Sequence, residues 1–225
     1  ESGVWRMNDE VVDLSVPLEP LIEYVMDGII DYAGLFPPAS CTLEETLTNY
    51  ASFLRRKDGW ILGRLVVPCD QLKEACNLSK KLGAEPGDSA WCVSALVAEA
   101  GTSHFLKDLD VVHEINEMDA GLIIDAIECK ALNGELVDSA LDELPEDIFP
   151  FFEIDLEKDN RGVLIALAGD SAGVKFRTGG VIADKYPKAS SLASVIKSTN
   201  DIGVPFKATA GLHHPFSSYN KAVKV

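Results

Sequence analysis

Two lysines near the end of the chain carry the strongest chemical signal in it. Lys175 stands in the run Gly173-Val174-Lys175-Phe176-Arg177-Thr178-Gly179-Gly180. Lys207 stands in Pro205-Phe206-Lys207-Ala208-Thr209-Ala210-Gly211-Leu212-His213-His214-Pro215. Each run reads as a buried strand passing straight into a glycine turn. The lysines lie 32 positions apart (207 − 175), about one strand–helix–strand unit. In a parallel sheet they converge at the carboxyl ends of neighbouring strands, where α/β proteins keep their chemistry. A lysine amine attacks a carbonyl only when it is deprotonated, and an adjacent cation in a poorly solvated site lowers its pKa. Lys175 has two candidate cations, Arg177 on its own strand and Lys207 on the next.

Acids that could move protons for such an amine lie on earlier strands: Asp125, Glu128 and Glu153. A competing expectation uses the same side chains structurally, with Glu128, Glu153 and Asp155 neutralising Lys175, Arg177 and Lys207, because an unpaired charge in a core is expensive. The glycine turns add an anion seat. Thr178, Gly179 and Gly180 follow one strand and Gly211 the other, and small residues let backbone N–H groups approach an anion. Arg177, His213 and His214 would complete that seat by charge-assisted contacts.

These residues resemble those of deoxyribose-phosphate aldolase and related class I aldolases. The resemblance rests on Lys175 followed by Thr178-Gly179, and on Lys207 followed by a small residue and a glycine turn. It covers about the last fifty residues and one earlier strand. It implies a (β/α)8 barrel and a lyase forming a lysine Schiff base with a small, phosphorylated carbonyl substrate. By that resemblance Lys175 is the nucleophile, Lys207 the pKa-lowering cation, and Asp125 or Glu128 the proton relay. The pattern departs from the family at Phe176-Arg177 and at His213-His214-Pro215. Two other readings stay open: a phosphate-ester-binding barrel enzyme without an imine, of phosphoribosyl-transferase or isomerase type, and a non-catalytic barrel acting as a binding or assembly subunit.

The elements that must position these residues recur along the chain. Residues 1–20, broken by Pro17 and Pro20, read as an arm, and residues 21–225 as a single domain. Helical spacing marks residues 21–30, and residues 31–38 read as a short strand stopped by Pro37 and Pro38. Thr42, with Glu45 three positions on, forms a capping-box pattern before a helix. Strands follow at about residues 62–68, 91–98, 120–128 and 149–156, then at the two lysine runs, each pair separated by a helical segment. The pitch is close to thirty residues throughout. Apolar rather than alternating strands at that pitch predict a parallel sheet buried on both faces. A TIM-type (β/α)8 barrel with seven units visible, the eighth missing or truncated, fits this pattern, with a doubly wound parallel sheet as the alternative.

The 225 residues carry 36 acidic against 20 basic side chains, a net charge of −16. Nucleic acid and anionic membrane both require a basic face, so neither is expected as partner. The expected partner is a small-molecule substrate, with homo-oligomer formation left open. No cofactor is expected, and no metal, because His213-His214 lacks a metal-ligand spacing. Five cysteines without C-x-x-C spacing point to free thiols in a reducing compartment, cytoplasm or an organelle stroma or matrix.

Overall fold

A computed structural model describes residues 6–7, 10–11, 18–87 and 90–210. A two-strand antiparallel ladder, β1 (Arg6–Met7) and β2 (Glu10–Val11), precedes helix α1 (Leu18–Met26). The helix expected over residues 21–30 therefore starts earlier and ends sooner. Seven strands follow: β3 (Ile30–Tyr32), β4 (Leu62–Pro68), β5 (Trp91–Leu96), β6 (Leu122–Lys130), β7 (Phe149–Ile154), β8 (Gly173–Arg177) and β9 (Phe206–Thr209). Helices α2 (Leu43–Leu54), α3 (Leu72–Leu82), α4 (Ser103–Glu117), α5 (Gly134–Glu143), α6 (Arg161–Leu167) and α7 (Ala189–Ile202) connect them in turn.

Local chemistry explains where these elements begin and end. At α2 the Glu45 backbone N–H donates to Thr42 Oγ1 at 3.2 Å, while Glu45 Oε2 accepts from the Thr42 backbone N–H at 2.9 Å. That is the reciprocal capping box read from the sequence. Helices α3 and α7 stop at Gly83 and Gly203, whose φ values of +92° and +72° cost a glycine little. The first strand is shorter than expected. After Tyr32 the chain turns, with the Phe36 N–H bonded to the Ala33 carbonyl, so residues 33–38 are not strand.

All seven strands are parallel, and their order in the sheet is their order in the chain. A doubly wound sheet reverses its strand order at a switch point, and this one does not, so that alternative is corrected. One face of the sheet carries Leu65, Val67, Val93, Ile124, Phe152, Val174 and Phe176, which join one apolar cluster with Leu47, Leu72, Phe105, Ile115, Val137 and Leu164 of the helices. That layer is the core.

The other face turns inward on itself. Laid flat, six inter-strand spacings would separate β3 from β9 by about 29 Å. Instead, Lys207 Nζ on β9 lies 2.5 Å from Asp31 Oδ2 on β3. Only a strongly curled sheet brings its first and last strands within reach of one lysine side chain. The architecture is a parallel α/β half-barrel of seven strands, with no direct pairing of β3 to β9 among the described residues.

Candidate functional site

The inward face of the curled sheet carries a polar network to which every strand contributes. Period-2 alternation places Lys175 opposite in direction to Val174 and Phe176, which face the helices. The strand register then sets Glu153, Lys175 and Lys207 side by side on β7, β8 and β9. Glu128 on β6 lies level with Phe151 and Gly173, one step below that row.

Glu128 is the hub. Its Oε2 accepts from Lys175 Nζ at 2.8 Å, and its Oε1 from Lys207 Nζ at 2.5 Å and from the Ser94 hydroxyl at 2.8 Å. Lys175 also reaches Glu153 Oε2 at 2.8 Å. Lys207 also reaches Asp31, and its ammonium stands 5.5 Å from the centre of the Phe151 ring. Asp31 Oδ1 in turn accepts the Arg64 backbone N–H at 2.7 Å, and the Arg64 guanidinium forks onto Asp125 with two bonds of 2.8 Å. The path from Glu153 to Asp125 is unbroken, and with Ser94 of β5 attached to Glu128 the network touches all seven strands.

Electrostatics make this network self-consistent. Burial pushes the Glu128 carboxyl up, but the ammonium groups of Lys207 and Lys175 outweigh it and hold the group below its ordinary 4.5. Burial likewise pushes Lys175 down, and the charges of Glu128 and Glu153 outweigh it, holding the amine above 10.5. The Lys175 side chain is only 9% exposed. It is a protonated, clamped ammonium.

That geometry corrects the nucleophile assignment. Lys175 was expected to lose its proton because Arg177 and Lys207 stood nearby. Two carboxylates hold it at 2.8 Å instead, and Lys207 shares Glu128 with it. Of the two candidate acids, Glu128 meets both lysines, while Asp125 is taken by Arg64. Glu153 joins the cluster as expected. Asp155 does not; it lies 3.9 Å from Lys158 in an exposed turn, and its place in the expected network is filled by Asp31.

The proposed anion seat is only partly in view. The Thr178 hydroxyl lies 2.8 Å from the Ala210 carbonyl and 3.1 Å from that of Thr209, so it ties β8 to β9. Gly179 is buried, and a Cβ on Gly180 would stand 2.7 Å from that of Lys185, so close packing accounts for Gly180. Arg177 is exposed at the end of β8, on the inward-facing side with Lys175, and has no ion pair among the described residues. Gly211, His213 and His214 lie outside the described residues.

Four members of the inward face are not among the residues singled out by the sequence: Asp31, Arg64, Ser94 and Lys130. Ser94 stands two positions from the inward-facing Cys92, which alternation makes legible. The expected strand ends at Glu128, whereas β6 runs on to Lys130. Two positions beyond Glu128 it faces inward, level with Glu153. It is exposed and, like Arg177, unpaired among the described residues.

Outside the half-barrel, a surface hollow of about 310 Å³ lies between α4 and α5, lined by Thr102, Phe105, Ser139 and Glu143 among others; it contains none of the charged network. No disulfide joins the five cysteines. No helix among the described residues is long and apolar enough to cross a membrane.

No family model matches the chain, and no curated protein does. Among solved structures it is similar to a citrate lyase beta subunit from Mycobacterium tuberculosis, complexed with oxaloacetate and magnesium. The identity is 13%, the TM-score 0.48, and the match covers 83% of this chain and 80% of that one. It is also similar to CitE from the same organism with magnesium, acetoacetate and coenzyme A (13% identity, TM-score 0.43, 73% and 64% covered). A third, CitE with the triphosphate group of ATP, matches at 13% identity and TM-score 0.45, covering 74% and 76%. None of these is a deoxyribose-phosphate aldolase. The resemblance to that family, and with it the lysine Schiff-base activity, is corrected by the carboxylate clamp that keeps Lys175 an ammonium.

Proposed function

We propose that the chain is a half-barrel enzyme that binds a small phosphate ester at the carboxyl ends of its strands and acts on it without an imine. The observation that carries this reading is the pair Lys130 and Arg177. Both close an inward-facing row at the ends of β6 and β8, both are exposed, and neither is neutralised among the described residues. In a protein of net charge −16, two cations left unpaired at the mouth where this architecture keeps its ligands favour a localised anion site. The buried network beneath them supplies a rigid floor.

The test is titration of inorganic phosphate, followed by calorimetry, into the protein and its Arg177→Ala and Lys130→Ala variants. Each loss of a charge-assisted contact should weaken binding by about tenfold or more. Unchanged affinity in both variants would refute the reading.

A second reading has its own support. The closed clamp on Lys175 suits a non-catalytic barrel whose ions only hold the sheet together. It predicts that phosphate does not bind and that Lys175→Met lowers stability but leaves association with a partner protein unchanged at temperatures where the variant stays folded.

A further inference from the structure

Among the described residues Glu153 has a single partner: its Oε2 accepts from Lys175 at 2.8 Å, and no other ion pair or hydrogen bond holds the carboxylate. The side chain is 17% exposed, against 2% for Glu128. Its flanks are the two cations of the mouth: Lys130 is level with it on β6, and Arg177 stands one inward-facing step above Lys175 on β8. A carboxylate whose back oxygen is pinned by a buried ammonium presents its front oxygen in a fixed direction. That is what a general base requires.

We infer that Glu153 is the base of a proton transfer at carbon next to a carbonyl, in a substrate whose phosphate is held by Lys130 and Arg177. This deepens the phosphate-ester reading and rests on it. In the step, Glu153 Oε1 takes the proton, and the C–H bonding pair becomes the carbon–carbon double bond of an enediolate. The former carbonyl oxygen takes the negative charge. Return of the proton to the same carbon gives exchange; return to the adjacent carbon, with the hydroxyl proton passing to the former carbonyl oxygen through solvent, gives isomerisation, with no oxidant and no co-substrate.

The experiment incubates the full chain in D2O with three probes in turn: dihydroxyacetone phosphate, glyceraldehyde 3-phosphate and pyruvate. Loss of the C–H signal next to the carbonyl is followed by proton NMR against a protein-free control. The phosphorylated probes should exchange, pyruvate should not, and Glu153→Gln should slow exchange by at least about a hundredfold. The same variant should keep its circular dichroism spectrum and its phosphate affinity within about threefold, which separates loss of the base from loss of the fold. Glu153→Asp should retain part of the rate. Phosphate binding without exchange of either phosphorylated probe overturns the assignment of Glu153 and leaves the binding reading standing, as does exchange untouched by Glu153→Gln. Absence of phosphate binding removes both.

Discussion

Replacing Glu128 by glutamine tests whether the inward network is a structural necessity. The Glu128 side chain is 2% exposed and its carboxylate receives three hydrogen bonds, two of them from ammonium groups. The amide is nearly the same size but carries no charge, and its NH2 group must face a donor. Lys175 keeps Glu153 and Lys207 keeps Asp31, so neither cation is wholly abandoned. Breaking a buried ion pair by removing one partner costs about 3–5 kcal/mol. For a domain of this size that lowers the melting temperature by about 6–20 °C. A control isolates the charge: Ser94→Ala removes only the neutral hydrogen bond to Glu128 and should cost about 1 kcal/mol. Urea unfolding followed by circular dichroism measures both. If Glu128→Gln costs no more than Ser94→Ala, the lysines are solvated and the account of a closed network fails.

The same network makes stability depend on pH at both extremes. Glu128 has a folded pKa below its ordinary 4.5, so its contribution is present above that value and is lost as pH falls through the folded pKa. Lys175 has a folded pKa above 10.5, so its contribution is complete below 10.5 and is lost as pH rises through the folded value. Urea midpoints measured from pH 3 to pH 11 should show a plateau with both falls, and Glu128→Gln should flatten them. Away from the site, Thr42→Ala removes the side-chain half of the α2 capping box and should lower stability by about 1 kcal/mol without changing phosphate affinity.

Much of the frame was legible because it depends on local chemistry. The capping box at Thr42 and Glu45, the glycine stop after Leu82 and the thirty-residue alternation of apolar strands with helices all follow from propensity and periodicity over short windows. The side of the strand on which Lys175, Glu153 and Lys207 point was also readable, since alternation fixes it once a strand is placed. The strand end at Lys130 was not: a lysine after a cysteine resembles a strand terminus, and only pairing with Glu153 across the sheet extends β6 to it.

What tertiary structure decided was which charge meets which. Residue types and spacing put two lysines and several acids on one face, and that much is a property of the chain alone. Whether an amine is bare or clamped depends on distances of a few ångströms between strands far apart in sequence, such as the 79 positions between Glu128 and Lys207. Curling of the sheet brings Asp31 from the first strand against Lys207 on the last, and no local pattern encodes that meeting. Coulomb attraction in a poorly solvated interior falls steeply with distance, so placing the carboxylates nearest the lysines reversed the sign of the expected pKa shift.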